Sequence, residues 1–402
     1  MVLKCRKLRG NLHVPILIGH AFHSLAGNFP MLRTVSMWLC VLLVMRLGSA
    51  PTWAEEEGFR PLFNGKDLSG WVLVNTPPQT WSVQDGLLVC TGKPIGEIRT
   101  DRMYQNFILE AEWRHMVPGG NAGIFIWADD ITSKGVPFHR SIEVQVLENA
   151  YGQSKGHTTH GDIFPIHGAR MTPVNGRGGS RAFPTEERSK PSPEWNHYRI
   201  ECRDGAISLA VNGKVVTQGT DASPRKGYIC IESEGGVVHY RNMKIRELPD
   251  SPVADEHLAI ANRGYRSIYT GLDLRGWKSS EVGPHHWKAN DWILIHDGKA
   301  TTLADATLTS DETLADRGFL LDIRPREGFE SIAICDSVLT PSALKVGEWH
   351  RVEGTVANQK LTLKINGQIV LTDHPLDRIP NLSLSPRGPA EFSNLFIRDL
   401  TP

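Results

Sequence analysis

The feature that most restricts how this 402-residue chain can fold is that it repeats its own opening and closing motifs. Phe63-Asn-Gly-Lys-Asp-Leu-Ser-Gly-Trp71 is echoed by Tyr269-Thr-Gly-Leu-Asp-Leu-Arg-Gly-Trp277, and Trp81 with Asp85 by Trp287 with Asp291, at an offset of 206 residues. Glu194-Trp195 and Val211-Asn212-Gly213-Lys214 return as Glu348-Trp349 and Ile365-Asn366-Gly367-Gln368 at an offset of 154. Tyr240 to Leu248 returns as Phe392 to Leu400. Two copies of one strand plan are therefore expected. Copy one occupies residues 55–248 and copy two residues 264–402, with a polar linker at 249–263. Copy two is shorter between Phe319 and Trp349, 30 residues against 88 between the matching Phe107 and Trp195. Whatever that stretch does, copy two lacks it.

Each copy reads as strands. Phe107-Ile-Leu-Glu-Ala-Glu-Trp-Arg114 and Ile207 to Val211 alternate apolar with polar, and Asp85-Gly86 and Asn212-Gly213 are hairpin turn signals. No amphipathic helix of three turns is evident, and 38 Gly with 25 Pro suit a chain rich in turns. The expected fold class is all-β, two jelly-roll β-sandwich domains in tandem. The repeated Trp residues read as core plugs; Trp127 alone is placed to stack on a ligand.

Residues 1–54 read as a leader. Val35 to Met45 is an apolar run of eleven preceded by Arg33 and followed by small residues, a signal-peptide pattern with Met31 as its natural start. Cleavage is expected near Glu55, giving an exported protein with no stable membrane insertion; the alternative is a single membrane anchor. The chain carries 44 basic and 44 acidic residues, and the leader takes six basic residues with it. That leaves no basic excess for nucleic acid. Cys90, Cys202, Cys230 and Cys335 lie in apolar runs without metal-knuckle spacing and read as buried free thiols.

These motifs resemble the 3-keto-disaccharide hydrolase family, a domain of concanavalin A-like lectin and glucanase fold. The resemblance is carried by Phe63 to Trp71, Trp81 to Gly86, Asn106-Phe107, Glu112-Trp-Arg114 and Gly120-Asn-Ala-Gly-Ile124. It continues through Glu143-Val-Gln145, Lys190-Pro, Glu194-Trp-Asn196, Val211-Asn-Gly213 and Tyr240-Arg-Asn242. Ser233-Glu-Gly-Gly236 and the loop from His157 to Ala169 are similar to the planctomycete-type form. Copy two looks like a degenerate relative, structural or glycan-binding. The resemblance implies a carbohydrate substrate and cleavage of 3-keto-glycosides.

Candidate chemistry centres on Arg140 to Glu148. The period of two places Glu143 and Gln145 on one strand face, and Glu148 joins them only through a bulge. Related glucanases set two glutamates around an aspartate there; Gln145 in the middle argues against direct two-carboxylate hydrolysis. The bland alternative is that Glu143 pairs with Arg140 or Arg114 on a solvated face. His157, His160, Asp162 and His167 follow within eleven residues. They could supply a base, and a divalent metal stays open with His157, His160 and Asp162 as its ligands, although no complete zinc signature is present.

A ketone at C3 acidifies the C2 proton, so a base suffices to start elimination of the C1 group, after which water can add. Glu143, His157 and His160 are the candidate catalytic residues. Arg114, Asn121, Trp127, Arg140, Gln145, Glu148, Asp162 and His167 are candidate substrate contacts. The rival is a lectin-like protein that binds carbohydrate without catalysis. No cofactor is required by any signature, and nothing in the sequence sets the oligomeric state.

Overall fold

The computed structural model describes residues 57–400 except Pro341. The leader, with its apolar run, Cys5 and Cys40, lies outside the described residues, as does its expected cleavage point. Regular structure is almost entirely antiparallel strand; helical pieces are single turns such as Leu303–Ala306. Among the described residues no helix is long and apolar enough to cross a membrane.

The repeated opening motif is a self-capping turn. Asn64 Oδ1 accepts from the backbone of Lys66 (2.8 Å) and Asp67 (3.0 Å), and Asp67 Oδ1 accepts from Ser69 N (2.9 Å). In the second copy Thr270 Oγ1 and Asp273 Oδ1 do the same for Leu272, Asp273 and Arg275. Short polar side chains that satisfy their own backbone hold such turns without help from a core. Each turn delivers a tryptophan, Trp71 or Trp277, into a strand with its ring buried.

Residues 60–247 build a nine-stranded sheet facing a six-stranded one. The six-stranded sheet runs Trp71–Val74, Gly96–Thr100, Tyr228–Ser233, Gly123–Ala128, Ser141–Gln145, Ile163–Ile166. Ile98, Ile124, Ile142, Val144, Ile163 and Ile231 turn inward from it and meet Leu109, Trp113, Tyr198 and Tyr240 of the larger sheet in one core. Residues 266–399 build an eight-stranded and a five-stranded sheet around a second, separate core. At about 1.5–3 kcal/mol for each fully buried large apolar side chain, either core is sufficient to define its own sandwich.

The two sandwiches also share contacts, and residues from Glu57 onward form one compact unit. Val74 and Ile131 pack with Tyr265, Leu320 and Phe396. Asn75 Nδ2 donates to Asn394 Oδ1 (2.8 Å), and Asp322, fully buried, accepts from Gly135 N (2.8 Å) while paired with Arg351 (2.8 Å). The linker is tied down as well: Ile260 N donates to Asp129 Oδ1 (2.8 Å) and Arg263 pairs with Asp130 (2.7 Å). Cys90, Cys202, Cys230 and Cys335 are all buried and free.

Candidate active site

The outward face of the six-stranded sheet is built by alternation along its central strands. Opposite the inward Ile231, Ile124 and Val144 stand Cys230 and Glu232 on one strand, Gly123 and Phe125 on the next, and Glu143 and Gln145 beyond. Glu97 lies beside Glu232 in the register. Charged residues in the middle of apolar strands are thereby gathered on a single face and covered: Glu97, Glu143 and Glu232 are all buried.

Glu143, Glu232 and Glu234 form an interacting carboxylate group. Glu143 Oε1 and Glu232 Oε2 each lie 3.0 Å from where a Cβ on Gly123 would stand, so the two oxygens are within 6.0 Å of each other. Glu232 and Glu234 lie close enough for each carboxyl to affect the ionisation of the other. Asn121 donates to Glu234 and accepts from Gln145 Nε2 (2.9 Å). Burial, then the charge of Glu234, pushes the Glu143 carboxyl up to about 8, with Arg181 working in the opposite direction. Burial first, and then the Glu143 and Glu234 carboxylates, drives Glu232 well above the usual carboxylate range. Burial likewise raises Glu234. Crowded carboxyls out of water share protons because they cannot all ionise. The group therefore contains both an acid and a latent base near neutral pH.

Arg181 supplies the nearby cation, held by Asp162 (2.9 Å) and lying 3.4 Å over the ring of Phe164. Phe164 is the strand neighbour of Glu143.

Of the residues expected from sequence, Glu143, Gln145 and Asn121 converge here, with Asp162 behind Arg181. The others stand elsewhere. His160 is not an exposed loop side chain: it is 2% exposed, accepts from Ser189 N at Nε2 (3.1 Å) and contacts Thr159 Oγ1 (3.0 Å) at Nδ1. Burial lowers it to about 4, so it is a neutral packing element. His157 packs edge-on against Tyr151, and His167 stacks on Phe138. Asp162 is committed to Thr158 N (3.1 Å) and Arg181, so His157, His160 and Asp162 are not among the groups whose ligand atoms converge.

Trp127 would share the face of Phe125 by alternation. A bulge between Tyr228 and Cys230 and a left-handed φ of 56° at Trp127 turn it inward instead. It is fully buried, with Nε1 donating to Gln105 O (2.8 Å), and cannot stack on a ligand. Arg140 is bidentate on Asp129 (3.0 and 2.9 Å), and Arg114 lies on the other sheet over Trp195 (4.5 Å). Neither pairs with Glu143. Glu148 is a clamp: it accepts from Gly119 N (2.6 Å), Ala150 N (2.7 Å) and Ser192 N (3.0 Å). Those donors outweigh the effect of its burial and hold its carboxyl low.

Sequence reasoning missed Glu232 and Arg181 and took Glu234 only as a motif letter. The usable signal was alternation in Tyr228-Ile-Cys-Ile-Glu-Ser233, where a glutamate out of phase with isoleucines marks a second, polar face.

Among its described residues the second sandwich has no such group. Matching the registers through Trp71–Thr100 and Trp277–Ser310 puts Ser383, Ser385 and Arg387 where copy one has Cys230, Glu232 and Glu234. Its hairpin closes directly from Ile334 to Ser337 through Cys335 and Asp336, at φ of 50° and 64°. In that register Asp336, in the turn itself, falls where copy one has Glu143, and Val338 falls where it has Gln145. A separate cleft of about 410 Å³ between the sandwiches, lined by Pro77, Pro78, Tyr269 and Glu312 among others, contains none of the three carboxylates.

Residues 58–246 match the family profile described as the 3-keto-alpha-glucoside-1,2-lyase-like domain. The chain is similar to a curated protein of Bacteroides thetaiotaomicron named 3-keto-disaccharide hydrolase, 25% identical over 178 residues that cover 41% of this chain. It spans 59% of that relative. Among solved structures, a candidate glycosyl hydrolase of Parabacteroides distasonis is 23% identical, covering 48% of this chain and 95% of its own, with a TM-score of 0.38. A β-glucanase of Bacillus licheniformis is 14% identical over 48% of this chain and 97% of its own, with a TM-score of 0.32. The first sandwich of this chain, residues 58–246, is thus similar to the 3-keto-alpha-glucoside-1,2-lyase-like domain family.

Proposed function

We propose that the first sandwich cleaves 3-keto-glycosides by elimination, with Glu143 as the base at C2. The observation that carries this reading is the group formed by buried Glu143 and Glu232 with half-buried Glu234, beside Asn121, Gln145 and Arg181. Ionised Glu143 takes the C2 proton, leaving an enolate shared between C2 and the C3 oxygen. Arg181 and the side-chain amides of Asn121 and Gln145 are the groups available to stabilise that oxyanion. The electron pair then forms the C1–C2 double bond as the C1–O bond breaks. A neighbouring protonated glutamate, Glu232 or Glu234, gives its proton to the departing oxygen. Water adding across the double bond would give net hydrolysis. The leader is read as a signal peptide, so the substrate is met outside the cytoplasm, and the second sandwich serves a structural or glycan-binding role.

A two-carboxylate hydrolysis of an unoxidised glycoside is the second reading, favoured by the approach of Glu143 and Glu232 to within 6.0 Å. The test compares 3-keto-trehalose and 3-keto-lactose with their unoxidised parents. Elimination predicts turnover of the 3-keto sugars alone; turnover of the parents at similar rates would overturn it.

A further inference from the structure

Behind the carboxylates, on the same sheet face, Glu97, His139 and Cys230 bring one ligand atom each to within 4.8 Å of one another, all three fully buried. Glu97 and Cys230 come from adjacent strands, and His139 from the segment that leads into Ser141–Gln145. No other group of three such side chains converges among the described residues.

The hydrogen bonds around this group leave it incomplete. His139 Nδ1 contacts the backbone carbonyl of Asp129 at 2.6 Å; a carbonyl only accepts, so Nδ1 carries the ring proton. With that proton on Nδ1, Nε2 presents its lone pair. That lone pair faces Glu97 Oε2 at 3.3 Å, itself an acceptor when ionised. Neither Nε2 nor Oε2 has a hydrogen-bond partner, although Glu97 Oε1 accepts from His139 N at 3.1 Å. Two buried polar atoms this close, one of them a lone-pair nitrogen, call for a proton or a metal ion between them.

We propose that Glu97, His139 and Cys230 bind a divalent transition-metal ion of the zinc or cobalt type. Carboxylate, imidazole and thiolate are the donor set those borderline ions prefer. An imidazole fixed through its other nitrogen to a carbonyl is how metal-binding histidines are held. A tetrahedral ion with bonds of roughly 2.0–2.3 Å sets its ligand atoms about 3.5 Å apart, so side-chain rotation must draw the group in by about 1 Å. One Glu carboxylate and one Cys thiolate against a dication leave the buried site neutral. Arg99, the nearby cation, points its guanidinium elsewhere, to Asp130 O, Thr100 O (both 2.9 Å) and Asn262 Oδ1 (3.2 Å). The site does not depend on the proposed reaction. Its ion would stand beside Glu232, fastening the strand that presents it.

The experiment uses protein produced in medium supplemented with zinc or with cobalt. Metal analysis of the wild type after exhaustive dialysis should give one ion per chain, and the cobalt form should show a thiolate-to-cobalt charge-transfer absorption. Cys230→Ser should abolish that absorption while circular dichroism stays native. Should Cys230→Ser fail to fold, His139→Asn and Glu97→Gln are read by metal content, which should fall at least tenfold. A folded wild type with no metal above the dialysis buffer and no thiolate absorption, or a Cys230→Ser variant that keeps both, overturns the site.

Discussion

Glu143 and Glu232 aim one carboxylate oxygen each at the bare face of Gly123, 3.0 Å from the place a Cβ would occupy. The glycine is what lets two carboxyls from strands on either side approach over it. Gly123→Ala should therefore wedge them apart, since the added methyl also meets Phe125 Cε1 at 3.0 Å. Overpacking of this kind costs about 1–3 kcal/mol. The expected result is a folded protein, less stable by chemical denaturation, whose rate falls by more than its stability accounts for.

Glu143→Gln keeps the volume and removes the charge. If Glu143 is the base, turnover of a 3-keto-glycoside should fall by about two to four orders of magnitude. Its thermal stability should not fall, because a neutral amide suits the buried position at least as well as a carboxylate. A rate within threefold of wild type would place the base elsewhere.

Stability and activity should run in opposite directions with pH. Burial raises the Glu143 carboxyl from the ordinary 4.5 to about 8 in the folded state. The folded protein therefore binds more protons than the unfolded chain between those values, and stability is full below the lower one and lost as pH rises through the upper. Each extra proton held corresponds to about 1.4 kcal/mol per pH unit, or roughly 2 °C per unit for a body the size of residues 57–400. Activity, which needs the ionised base, should rise over the same window. Melting curves and kcat/KM measured from pH 5 to 9 check both, and Glu143→Gln should flatten both trends.

How far the sequence carried depended on whether a residue's surroundings were local. The Asp85-Gly86 and Asn212-Gly213 turns, and the alternation of Ser141 to Gln145, were legible because their causes lie within a few residues. Glu143 and Gln145 were found that way, and Asn121 through the Gly120 to Ile124 motif of the family resemblance. The histidine loop misled because polar residues after a strand look exposed, whereas Ser189, 29 residues further on, closes over His160. Trp127 misled because a single left-handed residue at a bulge reverses strand parity, and nothing in Ile126-Trp127-Ala128 announces it. Glu232 and Glu97 required knowing which strands become neighbours.

His160 and Trp127 accordingly should act on stability. His160→Ala leaves Ser189 N without its acceptor and should destabilise by about 1–3 kcal/mol. Trp127→Ala removes a core ring and should cost about 3–5 kcal/mol. Urea titration measures both, with sugar affinity of the folded fraction expected to be unchanged.

The contacts between sandwiches predict coupled unfolding. Asp322 is fully buried between Arg351, Asn394 and Gly135 N. Asp322→Ala leaves Arg351 without its carboxylate and should lower the melting temperature of the whole described body, observed calorimetrically as one shifted transition. Two transitions, with only the lower one moved, would mean that the sandwiches unfold independently.

The most direct test of the account is deuterium uptake at C2 of the sugar. Wild-type protein is given a 3-keto-glycoside in D2O, and the released 3-keto sugar is examined by NMR at early times against an enzyme-free control. Abstraction by Glu143, elimination and rehydration predict one deuterium at C2 of the product, formed far more slowly by Glu143→Gln. Product released at the wild-type rate with protium retained at C2 would contradict proton abstraction and leave direct attack at C1 in its place.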